Sequence, residues 1–130
     1  MDAPRVGSFD FRCPDTGERR DLPVDLAHLR RYTLGDKALE IEILDLFLAQ
    51  LPVTIASLRS AATERDWRMA AHALKGSSRA VGAWRIATLA QEAEGLAARA
   101  EPAAWSEAIM KLEAAVSEAN AFVQETAHET

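Results

Sequence analysis

The segment AHALKGSSRAVGA, Ala71 to Ala83, brings an imidazole, an ammonium, a guanidinium and two hydroxyls together within a few helical turns. Neutral imidazole is a nucleophile near neutral pH, and cations beside it suit the charge of about −2 on a phosphoryl group, so these residue types are coherent as a phosphohistidine site. Other chemistries fit less well. A helical metal pair wants a second ligand four residues from His72, but those positions hold Arg68 and Gly76. KGSS inverts the order of a phosphate-binding loop, which needs Gly-x-x-x-x-Gly-Lys-Ser/Thr after a strand. Ser77 and Ser78 are expected to pack and bond to the helix backbone, with Ser77 turned toward the core and Ser78 toward its edge.

These groups must be held by something, and the composition says what. The chain has 130 residues, 48% of them hydrophobic but only 6% aromatic, which suits one domain of closely packed helices. A net charge of −5 argues against a nucleic-acid-coating protein. Cys13 is the single cysteine, too few for an internal disulfide or a cysteine zinc site. No apolar run approaches the roughly 20 residues needed to span a bilayer, and MDAPRVGSFD lacks a signal-peptide core, so the expectation is a cytoplasmic protein with no membrane partner.

Residues 1–22 read as an arm, with a loose turn around Pro14 to Gly17, and residues 23–127 as the domain. Asp25 suits the N-cap of a short helix bearing Leu26 and Leu29. A longer one is expected from Asp36 to about Ala61, its seam formed by Ile41, Leu44, Leu48, Leu51, Ile55 and Leu58 and kinked at Pro52. Leu39, Ile43, Leu46 and Phe47 widen its apolar surface toward further neighbours. Asp66 is the expected cap of the third helix. The fourth starts near Ala83 and buries Ile86, Leu89, Ala90, Ala93, Leu96 and Ala97; the fifth opens at Pro102 and repeats through Trp105, Ile109, Leu112, Val116, Ala119 and Val123. The fold expected is all-α: an antiparallel up-and-down four-helix bundle with an additional short N-terminal helix.

At about 100° per residue, Trp67, Ala70, Leu74, Ser77 and Val81 share the buried face of the third helix. His72 points away from it, in a strip with Arg65, Arg68, Lys75, Gly76 and Arg79. An exposed histidine is ordinarily just a solvated side chain. Gly76 weighs against that here, because glycine inside a helix costs about 1 kcal/mol and one turn from His72 it leaves room for another molecule to approach.

The pattern AHALKGSS followed by Gly-Ala resembles the histidine phosphotransfer (HPt) family, and LDLFLAQLP and DW resemble its preceding helix and loop; the similarity runs from about Pro23 to Val123. The resemblance implies that His72 is the phosphoryl acceptor and Lys75 its electrostatic partner. Arg68, Met69, Gly76 and Arg79 would meet the partner protein, while Ser77, Gly82 and Ala83 match the motif's small residues. The family often holds the histidine's Nδ1–H from the following helix; Glu94 occupies that position, where relatives carry glutamine, and Gln91 is the alternative. The implied partners are receiver domains of a hybrid histidine kinase and of a response regulator, with no cofactor, no metal and no autokinase activity in this chain. Any magnesium would belong to the receiver, and a single bundle should be a monomer.

Three rivals are distinguishable. A histidine kinase would need an ATP-binding domain, and commonly an acidic residue where Ala73 stands. A dimeric kinase-like phosphotransferase would differ in solution mass, and a purely structural adaptor would tolerate replacement of His72. His28 and His128 are expected to be solvated, and Trp67, Trp84 and Trp105 to anchor the core or helix ends.

Overall fold

The computed structural model describes residues 22–99 and 101–127; Cys13, the turn at Pro14 to Gly17 and His128 lie outside them. Five α-helices follow in order: α1 (Leu26–Thr33), α2 (Lys37–Arg59), α3 (Glu64–Val81), α4 (Trp84–Gly95) and α5 (Pro102–Ala127). A 3₁₀ turn, Ala97–Arg99, follows α4. Short connections reverse the chain between successive long helices. α2 packs on α3, α3 on α4, α4 on α5, and α5 back on α2, while α1 closes one end against α2 and α3. This is the all-α bundle with a short leading helix that the periodicity predicts.

The helix starts follow local hydrogen bonding. Asp25 caps α1, accepting from the His28 N–H at 3.2 Å, and Asp36 caps α2, accepting from the Leu39 N–H at 3.1 Å. α3 departs from expectation. Its N-cap is Thr63, whose extended backbone brings Oγ1 to 3.1 Å from the Asp66 N–H, so Asp66 lies in the first turn, where its charge suits the positive helix end.

Leu44, Leu48, Leu51, Ile55 and Leu58 of α2 are buried, and so are Ile109, Leu112, Ala119 and Val123 of α5. Phe47 is buried too, but Leu39 and Leu46 face solvent, so the widened apolar surface of α2 is only partly covered. By length and composition α2 is apolar enough to cross a membrane, contrary to the sequence expectation, and in this fold its seam lies in the bundle core. Among its buried positions is Glu40, which accepts from Arg30 Nε at 2.7 Å on α1 and from Lys37 Nζ at 3.4 Å. The Arg30 hydrogen bond holds this carboxyl below the usual carboxylate range against the opposing effect of burial.

The buried stripe of α3 is Trp67, Ala71, Leu74, Ser78 and Val81. Ala70 is half-buried and Ser77 exposed, which corrects the expected Ala70–Ser77 face and reverses the two serines. α3 packs most extensively on α4 and also on α2, and its buried face includes the small residues Ala71 and Ser78, which permit close approach of a neighbouring helix. Ser77 Oγ donates to the Leu74 carbonyl at 3.3 Å, whereas the buried Ser78 Oγ finds no partner among the described residues.

The tryptophans anchor helix ends. Trp67 is fully buried and stacks on Trp105, centroids 4.3 Å apart. Trp105 Nε1 donates to the Leu96 carbonyl at 3.1 Å, and Trp84 Nε1 to Asp25 Oδ2 at 2.9 Å. His28 is not simply solvated: it is half-buried, its ring edge-on to Trp84 at 4.8 Å, because capping by Asp25 seats α1 against the start of α4.

Candidate functional site

The backbone of α3 turns His72 outward, and its side chain is 69% exposed. One turn on, Lys75 leans toward α4 and is only 17% exposed. Both meet Glu94, near the end of α4. His72 Nδ1 lies 3.0 Å from Glu94 Oε2, and Lys75 Nζ donates to Glu94 Oε1 at 2.6 Å. One carboxylate therefore uses its two oxygens on two residues of α3.

The Lys75 ammonium is the main reason that the Glu94 carboxyl lies below the usual carboxylate range; burial opposes it, and the His72 hydrogen bond adds to the lowering. An ionised carboxylate is acceptor-only, so the hydrogen of the His72 contact sits on Nδ1. In a neutral ring this leaves the lone pair on Nε2, on the exposed side chain.

Gln91, the alternative partner for His72, is engaged elsewhere: its Oε1 accepts from Arg79 Nη2 at 2.7 Å. Arg68 pairs with Glu64 along α3. Met69 is 58% exposed and borders a shallow hollow with Ser57 and Ser60 of the α2 end. A Cβ at Gly76 would meet nothing within 4 Å, so the space above this turn is open. Gly82 has another role. It ends α3 at φ 84°, and a Cβ there would come within 2.8 Å of the Asp25 carbonyl oxygen. Its own carbonyl accepts from the Asp25 N–H at 2.8 Å, and Ala83 is buried at the N-cap of α4. Among the described residues no group of three His, Cys, Asp or Glu side chains could hold a metal ion.

The structure thus brings His72, Lys75 and Glu94 into one cluster, with Arg79 on a second rung beside it and Gly76 open above the same face. Gly82 and Ala83 belong to the α3–α4 turn, away from that cluster. Sequence reasoning missed the Lys75–Glu94 bond, although a lysine and a glutamate on facing helices of an antiparallel pair was the available signal. It also missed the clasp of Asp25 on Trp84 and Gly82, for which no short motif exists.

The Hpt domain family model matches residues 42–122, a span from the first half of α2 to late α5 that includes His72, Lys75 and Glu94. Comparison with curated proteins and with solved structures gives no match.

Proposed function

The chain belongs to the Hpt domain family, and we propose that within it His72 is the residue that accepts the phosphoryl group. Histidine phosphotransfer in phosphorelay signalling is what such a domain does, as a carrier working with receiver domains of response regulators and kinases. The finer reading is that a receiver of a hybrid kinase delivers the group to His72 and a response regulator's receiver removes it. The observation that carries it is the Glu94 carboxylate 3.0 Å from Nδ1 of an exposed histidine.

In this reading Nε2 attacks phosphorus in line, the bond to the receiver's aspartyl oxygen breaks, and the aspartate carboxylate leaves. The proton stays on Nδ1, so the phosphorylated ring is cationic and Glu94 faces that charge. A ring that keeps its proton leaves as neutral imidazole, which favours onward transfer. Gly76 gives the receiver room, and Arg68, Met69 and Arg79 surround the approach. The same reading includes a cytoplasmic, monomeric protein without autokinase activity.

The test is acceptance of acid-labile phosphate from phosphoramidate and from a panel of phosphorylated receivers. Wild type should be labelled and His72→Gln should not, with helical content unchanged in the variant. Undiminished acid-labile phosphate in His72→Gln would remove the assignment.

A further inference from the structure

Arg79 shares a face of α3 with His72, because their separation in sequence is close to two helical turns, but it stands about 10 Å further along the axis. Its Nη2 donates to Gln91 Oε1 at 2.7 Å, which turns the guanidinium toward α4 and away from a phosphoryl group on Nε2. Its electrostatic setting also differs from that of its neighbours. Arg68 is paired with Glu64 and Lys75 with Glu94, two carboxylates that offset their charges. Gln91 is a neutral amide. It fixes the guanidinium, leaves its charge uncompensated, and uses only part of a fork of N–H donors.

Beside this rung lies a hollow of about 210 Å³ lined by Arg79, Trp84, Ala87, Thr88 and Gln91, of which Arg79 is the one charged residue. Ala87 is small and buried, and the exposed Thr88 adds a hydroxyl. The Trp84 indole N–H is spent on Asp25, a fully buried carboxylate that also accepts from the His28 N–H. The hollow is therefore cationic on a chain of net charge −5, and it has the size of a side chain. A guanidinium held in one plane suits a carboxylate.

We propose that Arg79 is a specificity-determining residue: held by Gln91, it receives in this hollow an Asp or Glu side chain of the docking receiver. The inference rests on the reading of this chain as a carrier that works with receivers. A specific protein contact covers roughly 800 Å² on each partner, so a receiver centred on His72 extends over a hollow about 10 Å away. A receiver with a basic residue at that place is repelled, and one with an apolar residue leaves the guanidinium unpaired.

The experiment compares two donors on the full chain, phosphoramidate and the phosphorylated receiver that labels wild type fastest. Arg79→Met and Gln91→Glu should each lower receiver labelling, at limiting receiver, by about tenfold relative to phosphoramidate labelling; the first removes the charge and the second offsets it within the chain. The loss should fade at saturating receiver and at high salt, because it lies in association and not in the transfer step. Arg79→Lys keeps the charge but not the fork, and should fall between wild type and Arg79→Met. A charge exchange identifies the occupant: among Asp→Lys and Glu→Lys variants of the receiver, one should label Arg79→Glu better than it labels wild type. Equal losses with the two donors, a Gln91→Glu protein that matches wild type, or no receiver variant that favours Arg79→Glu would each overturn the proposal. A wild type that neither donor labels would sink the proposed function, and the docking contact with it.

Discussion

Trp67 donates its indole N–H to the Ala93 carbonyl at 2.6 Å, and Ala93 is the residue before Glu94. One buried hydrogen bond thus ties the start of α3 to the stretch of α4 that presents the carboxylate to His72. Trp67 is fully buried and stacked on Trp105, so its position is fixed from the α5 side as well. Trp67→Phe keeps an aromatic ring but loses the donor and leaves a void. It should cost about 1–3 kcal/mol in urea unfolding and slow labelling of His72 by phosphoramidate, with helical content retained. An unchanged labelling rate would mean that the Glu94 geometry is set elsewhere.

The Arg30–Glu40 pair makes a prediction about pH. Glu40 is buried and its folded-state pKa is depressed, chiefly by the Arg30 hydrogen bond, so its contribution to stability is present above the ordinary value of 4.5 and is lost as pH falls through the folded value. Near neutral pH, Glu40→Gln should be less stable by about 1–2 kcal/mol, a modest figure because the Arg30 end of the pair is half in water. The gap between the two proteins should close on acidification below pH 4.5. Parallel melting curves across that range would show that the pair contributes nothing net.

Gly82 belongs to the clasp that seats α1. At φ 84°, with the Asp25 carbonyl oxygen 2.8 Å from where a Cβ would stand, alanine is strained both by its backbone and by its neighbour. Gly82→Ala should lower stability by about 1–3 kcal/mol and shift the Trp84 indole N–H resonance, because Trp84 Nε1 bonds Asp25. If that resonance stays in place while stability falls, the strain is confined to the α3 terminus and α1 remains docked.

The helices were legible because their seams are long and regular: Leu44 to Leu58 on α2 and Ile109 to Val123 on α5 leave little choice of face. α3 was harder. Its apolar residues are small and interleaved, so rotation alone cannot choose between Ala70 with Ser77 and Ala71 with Ser78, and the packing of α3 between α2 and α4 decides. His72 was legible because an exposed imidazole beside an in-helix glycine is a pattern of residue types. The bond from Lys75 to Glu94 was not, since it depends on the register of two helices, and that register is set by Trp67, Ala93 and the Gly82 turn acting together. Asp66 lost the cap to Thr63 for a local reason, the extended backbone at Thr63.

Gly76 is the position where fold and function prefer different residues. It lies inside α3, its backbone is ordinary helix, and an added Cβ would touch nothing within 4 Å. Gly76→Ala should therefore stabilise the helix by up to about 1 kcal/mol, and Gly76→Gln should also fold at least as well as wild type. Transfer should tell a different story. A receiver must bring its aspartyl phosphate within attack distance of Nε2, and near-attack geometry is sensitive to displacements of about 1 Å. A glutamine side chain one turn from His72 stands in that approach, whereas phosphoramidate is small enough to pass it. Gly76→Gln should lose most of its labelling by every phosphorylated receiver that labels wild type, and lose much less with phosphoramidate. Equal transfer from a cognate receiver to Gly76→Gln and to wild type would show that the open space above this turn is not used for docking.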